Sequence, residues 1–146
     1  MALINKPIEF AFFDIGGTLG ERDQATGKLI PFSSSAKLLT AVRDVIGLRI
    51  GIITTLGSLS NSQGRAILEQ AGLAVFLDPE GFVSEHDVNE MAKPHPAIYQ
   101  FAAQKVGVPI ERCLYVGENL IEVISSLAAG MHALLKPCPP GRDLQG

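Results

Sequence analysis

The chain has 146 residues, 47% of them hydrophobic, and a formal net charge of −3. That size and balance predict one domain with a core large enough to stand alone. Mild acidity without a Lys/Arg stripe or a basic amphipathic helix argues against a nucleic-acid or membrane-surface partner and leaves small molecules. No run is long enough for a membrane span, and Lys6, Glu9 and Asp14 break up the first apolar segment, so no signal peptide and a cytoplasmic location are expected. Cys113 and Cys138 stand far apart, in no metal-type spacing, and read as inert thiols of a reducing compartment.

In chain order, Ile8 to Phe13 is an apolar, β-prone run that stops at Asp14 and continues as Ile15-Gly16-Gly17-Thr18. It reads as strand, acid, tight loop. Reactive groups of open α/β sheets stand just past the carboxyl ends of strands, so Asp14 occupies a nucleophile position beside the backbone N–H groups of Ile15 to Thr18. An Asp that merely caps a turn is the plainer alternative. Gly20 to Ile30 predicts a short exposed hairpin overhanging that loop. Ser33 to Ser35 cap a crossover helix whose Leu38, Leu39, Val42, Val45 and Ile46 share one face, and Gly47 ends it.

Leu48 to Ile53 is a second buried strand, followed by the hydroxyls of Thr54, Thr55, Ser58, Ser60 and Ser62. These groups are either substrate ligands or caps of the helix that runs to Ala71. Of the ambiguous stretch from Leu73 to Ser84, one strand is expected near Phe82. Met91 to Pro96, extended by its prolines, delivers Lys93 to the start of a helix over Ala97 to Val106. Leu114 to Val116 is the next strand, with Gly117, Glu118 and Asn119 after it and a helix from Leu120 to Ala129. Glu118 and Glu122, four apart, share a face near the helix's positive end, as solvated acids or as metal ligands. Met131 to Leu135 is the last strand. The domain is expected to span residues 1–136, with a mobile proline-rich tail over 137–146.

The order of acid, hydroxyl, lysine and paired acids, each at a strand's carboxyl edge, resembles the haloacid dehalogenase (HAD) superfamily from Phe10 to Leu135. Asp14-Ile-Gly-Gly-Thr18 is similar to its nucleophile motif, Thr54 to its second, Lys93 in Lys-Pro-His-Pro to its third, and Gly117-Glu118 with Glu122 to its fourth. The resemblance implies a Rossmann-like three-layer α/β sandwich with a mostly parallel sheet. It also implies a phosphatase that forms an aspartyl-phosphate on Asp14. Thr54 and Lys93 would complete the catalytic set, with Ile15, Gly16, Gly17 and Thr55 around the phosphate. Mg²⁺ would bind weakly through Asp14, the Gly16 carbonyl, and Glu118 or Glu122. The intervals between the motifs, about 40 residues each, are used by one crossover apiece, so no cap domain is expected; the resemblance implies an open site that a neighbouring subunit closes or that is offered to a large substrate, and a homo-oligomer is expected. The substrate would be a small phosphorylated metabolite.

Two positions depart from the family pattern. The usual second Asp, the general acid/base, is Gly16, a loss that commonly costs ~10²–10⁴-fold. Glu118 stands where the family usually has Asp. Gly16 leaves open a catalytically inactive binding or scaffold protein, or a member that cleaves C–halogen or C–P bonds, whose leaving groups need no proton. Asp-Ile-Gly-Gly-Thr also opens the ATP site of actin-like sugar kinases, but those need two large lobes and a second glycine-rich loop. His86, His95 and His132 are expected to have no catalytic role.

Overall fold

β1 (Phe10–Phe13) is buried along its whole length, as four consecutive apolar residues in the middle of a parallel sheet should be. The computed structural model describes residues 7–139. In it β1 is flanked by β4 (Arg49–Thr54) and β6 (Cys113–Gly117), and β5 (Phe82–Ser84) and β7 (His132–Leu135) form the edges of a five-stranded sheet ordered β5-β4-β1-β6-β7. Every neighbouring pair in it is parallel. The expected strands are therefore all present, and β2 (Gly20–Arg22) pairs with β3 (Leu29–Pro31) as the expected hairpin.

Side chains of β1 alternate between two cores. Phe10 and Phe12 pack with Tyr99, Ala102 and Val106 of α3 (Pro96–Val106) and Val123 of α4 (Leu120–Ala129). Ala11 and Phe13 pack with Leu39 of α1 (Ser35–Thr40) and Leu68 of α2 (Asn61–Gln70). Helices on both faces make the expected three-layer sandwich, and burying each phenylalanine contributes about 1.5–3 kcal/mol. Gly51 of β4 is required by space. A Cβ there would stand 2.5 Å from the Gly81 carbonyl oxygen and 2.7 Å from Phe10 Cε1.

The crossover helix differs from expectation at both ends. Ser34 is its N-cap without a side-chain hydrogen bond, while the Ser35 hydroxyl donates to the Leu19 carbonyl at 2.6 Å and ties α1 to the loop behind Asp14. From Ala41 to Ile46 the helix is wound as a π-helix, with the Gly47 N–H reaching back to the Val42 carbonyl. Wider winding carries the last residues off the α-helical stripe. Leu39 and Val42 face the core, but Val45 and Ile46 are 82% and 65% exposed. The stretch after α2 is a 3₁₀ turn, Ala74–Phe76, and β5 is its single strand.

Between β1 and β4 lie only the hairpin and one crossover, and between β4 and the Lys93 segment only α2, β5 and two short 3₁₀ turns. The domain carries no cap. Of the expected tail, residues 140–146 lie outside the described residues, and the Cys138 thiol meets Glu21 Oε1 at 3.6 Å. No helix among the described residues is long and apolar enough to cross a membrane.

Candidate active site

Strand order turns around at β1. The chain first winds outward through β4 to β5, and α3 then carries it back to β6 on the other side. Crevices at such switch points are where open α/β sheets bind ligands. Asp14 follows β1 there, its N–H still in the ladder through the Val116 carbonyl at 3.0 Å. Thr54 ends β4 as a buried residue, and Thr55 beside it is exposed.

Lys93 reaches the same point from the segment before α3, where the Lys93–Pro94 peptide is cis. Only 2% of its side chain is exposed, and its ammonium pairs with Asp14 Oδ1 at 2.8 Å and Glu122 Oε1 at 3.0 Å. Such burial is tolerated because the charge is paired and its hydrogens are used. The third partner is Tyr115, whose hydroxyl accepts from Lys93 Nζ at 3.1 Å and donates to Glu122 Oε1 at 3.0 Å. Burial, and then the charges of Asp14 and Glu122, push the Tyr115 phenol far above its ordinary value, so it stays a neutral donor. Tyr99 holds the same acid from the other side by donating to the Glu122 carbonyl at 2.9 Å.

Tyr115 is a site residue that sequence reading missed. A tyrosine buried in an apolar strand needs a partner for its hydroxyl, which was the available signal. Cys113, on the same strand, is the inert thiol expected, pushed up to about 12 chiefly by burial.

The loop after Asp14 is closed by its own backbone. The Gly17 N–H donates to the Gly20 carbonyl at 2.9 Å, and the N–H groups of Thr18 and Leu19 go to the Ile15 carbonyl. The Gly17 amide, expected among the phosphate ligands, is thus committed to the chain. The Ile15 N–H donates to Asp14 Oδ1 at 2.8 Å. Asp14 Oδ1 therefore accepts from both the Ile15 N–H and the Lys93 ammonium, and Oδ2 stays outside this network. The loop-closing bonds skip Gly16, which is exposed, has no positive φ, and has nothing within 4 Å of where a Cβ would stand.

Geometry separates the two acids of the fourth motif. Glu122 faces Lys93 and Tyr115, whereas Glu118 lies across the Asp14 loop. A Cβ on Gly17, whose φ is +76°, would meet Glu118 Cγ at 2.6 Å and Oε1 at 3.2 Å. Asn119 starts α4, its side-chain oxygen accepting from the Glu122 N–H at 3.1 Å. His95 likewise caps α3, its Nδ1 accepting from the Ala97 N–H at 3.0 Å.

The segment after Thr54 is held from beneath by a second unanticipated residue. Glu85, buried, accepts from the N–H of Leu56 at 2.8 Å and of Gly57 at 2.8 Å. Burial pushes its carboxyl up, and the amides of Leu56, Gly57 and its own outweigh that to hold it below the ordinary value. His86 adds two contacts, Nε2 on the Leu59 carbonyl and Nδ1 on Glu90, each at 2.7 Å. Glu85, His86 and Glu90 bring ligand-type atoms within 4.8 Å of one another, but the loop already employs them. Ser60 then caps α2 in a capping box with Gln63, so Ser60 is a cap and Thr54 is not.

His86 is expected to make the loop pH-dependent. Glu90 first, then the Leu59 carbonyl, raise its pKa above 6.5. A raised folded-state value means that the stabilisation is complete below about pH 6.5 and is lost as pH rises through the folded value. Hydrogen exchange across residues 56–60, corrected for intrinsic rates, should therefore accelerate above neutral pH in the wild type. It should show no such rise in His86→Gln, and a flat wild-type profile would refute the clamp.

The haloacid dehalogenase-like hydrolase family model matches residues 9–130. Among curated proteins none matches in sequence. A HAD family hydrolase from Deinococcus radiodurans R1, solved with bound phosphate and sodium, is 21% identical with a TM-score of 0.67, over 92% of this chain and 85% of that one. L-2-haloacid dehalogenase from Xanthobacter autotrophicus is 17% identical with a TM-score of 0.69, over 86% and 76%. A HAD phosphatase from Thermococcus onnurineus is 25% identical with a TM-score of 0.62; the match covers 78% of this chain and 51% of that one. At these identities the solved structures speak for the fold, while the family match spans all four motif positions. The chain belongs to the haloacid dehalogenase-like hydrolase family.

Proposed function

We propose that the protein is a Mg²⁺-assisted phosphatase-type hydrolase of small phosphorylated metabolites, working through an aspartyl-phosphate on Asp14. The observation that carries this reading is the buried Lys93 ammonium 2.8 Å from Asp14 Oδ1. That contact orients the carboxylate, leaves its second oxygen for attack on phosphorus, and places a fixed positive charge where the phosphoryl oxygens would gather. Thr54 and Gly16, which line one cavity at this edge, would hold those oxygens through a hydroxyl and an amide.

The donor set fits a small hard cation. Asp14 and Glu118 supply carboxylates, and the Gly16 carbonyl takes no part in the bonds that close the loop. Lys93 alone does not offset the charges of Asp14, Glu118 and Glu122 together with a phosphate dianion. Asp14, Glu118 and the Gly16 carbonyl would hold Mg²⁺, which when bound would supply the missing positive charge. Glu122 is the Lys93 partner in this reading, and Glu118 is the metal ligand.

Titration calorimetry should detect weak Mg²⁺ binding to the wild type that Asp14→Asn and Glu118→Gln each weaken at least ~10-fold, while Glu122→Gln weakens it less. Aryl-phosphate hydrolysis should disappear in Asp14→Asn. Turnover that survives this change, or Mg²⁺ binding indifferent to both Asp14 and Glu118, would sink the reading.

A further inference from the structure

A cavity of about 160 Å³ opens beside Gly16, between the end of β4, the start of α2 and the hairpin. Leu56, Leu59 and Ile67 form apolar walls, Thr54 and Gly16 border the reaction side, and Arg22 of β2 supplies the charged lining. We propose that this cavity is a carboxylate pocket, with Arg22 reading the acid end of a short-chain phosphorylated carboxylic acid. The inference rests on the phosphatase reading above and names the class of substrate that the same site takes.

Arg22 is prepared for an anion. Arg22 is exposed, and its Nε–H donates to the Gly27 carbonyl at 3.2 Å, which leaves the terminal N–H groups, a fork that matches a carboxylate. Neighbouring acids do not neutralise it. Glu21 projects to the opposite face of β2, where it meets Cys138. Asp23 is turned into its own loop, accepting from the Ala25 N–H at 3.1 Å and the Thr26 hydroxyl at 2.9 Å. None of the ion pairs formed among the described residues takes Arg22.

The size of the cavity suits such a ligand. At roughly 30 Å³ per water, the cavity equals about five waters. That is room for a carboxylate on a stem of two or three carbons. A second phosphate would leave the apolar walls of Leu56, Leu59 and Ile67 without a stem to cover them. Gly16 is part of the fit, because an aspartate there would place a carboxylate at the mouth of the pocket and repel an acidic ligand.

Equilibrium binding of two unreactive phosphonates tests the assignment. 3-Phosphonopropionate carries the carboxylate, and propylphosphonate has a similar stem without it. With Mg²⁺ present, the wild type should bind 3-phosphonopropionate at least ~10-fold more tightly. Arg22→Gln should remove that preference while leaving propylphosphonate affinity within about 2-fold, a selectivity change that a general structural defect would not produce. Equal binding of both phosphonates by the wild type, or a preference that survives Arg22→Gln, overturns the inference. Should neither phosphonate bind, the phosphoryl-site reading fails, and millimolar propionate alone decides the pocket. Propionate shifts of the Gly16 and Thr55 amide resonances that vanish in Arg22→Gln sustain the pocket, and their absence ends it.

Discussion

Lys93→Met is expected to lower aryl-phosphate turnover by at least ~10²–10³-fold, the scale of losing one preorganised charge at a developing anion. It is also expected to destabilise the fold. The ammonium is 2% exposed and shared between Asp14 and Glu122, whose side chains are 13% and 20% exposed. Without it, two carboxylates face each other around the Tyr115 hydroxyl with no countercharge. Breaking a buried pair by removing one partner costs ~3–5 kcal/mol, and residual solvent at both acids sets the expectation at about 3 kcal/mol. Urea denaturation of wild type and Lys93→Met, beside a steady-state assay, separates the two effects. Lys93→Arg should recover most of the stability and little of the activity, because the guanidinium cannot keep the point geometry that the three partners impose. A Lys93→Met protein of unchanged stability would mean that the ammonium is not the hub of the site.

Gly16→Asp is the change expected to raise activity. The backbone accepts it, since φ at Gly16 is not positive and a Cβ there meets nothing within 4 Å. Gly17 shows the contrast, with φ at +76° and Glu118 carbon 2.6 Å from a Cβ. An aspartate at position 16 restores a general acid for the leaving alkoxide and a base for the water that hydrolyses the aspartyl-phosphate, without touching the main-chain carbonyl. Simple alkyl phosphates that carry no carboxylate should then be hydrolysed at least ~10-fold faster than by the wild type, a conservative share of the usual contribution. The substrate must lack a carboxylate because an acid at position 16 would oppose one in the Arg22 pocket. A wild type that already turns over alkyl phosphates at an ordinary enzyme rate, and is slowed by Gly16→Asp, would show that another residue supplies the proton.

What the sequence disclosed of this site follows from spacing along strands. Asp14, Thr54 and Glu118 each end an apolar run, so a parallel sheet brings them to one edge whatever the details of packing. The side-chain partners were not legible in the same way. Tyr115 lies mid-strand and reads as core, and its bond to Glu122 depends on how α4 folds back over β6. Glu85 follows a three-residue strand whose existence was itself uncertain, and its bonds run to amides 28 and 29 residues earlier in the chain. The π-helical winding before Gly47 has no periodicity of its own over six residues, so Val45 and Ile46 read as core when they face solvent. Separating Glu118 from Glu122 required the turn of α4 as well, because both satisfy the same motif in one dimension.

Asp14 is expected to become phosphorylated, and Gly16 to slow release of the phosphoryl group. Intact-mass spectrometry after acid quenching of the enzyme, mixed with an aryl phosphate and Mg²⁺, measures that directly. In the steady state, a large fraction of the wild type should carry one added phosphoryl group, mapped to the peptide containing Asp14. Gly16→Asp should carry much less while turning over faster, and Asp14→Asn none. Turnover of the aryl phosphate with no phosphoryl group on Asp14 in any variant, or equal labelling of wild type and Gly16→Asp, would contradict it.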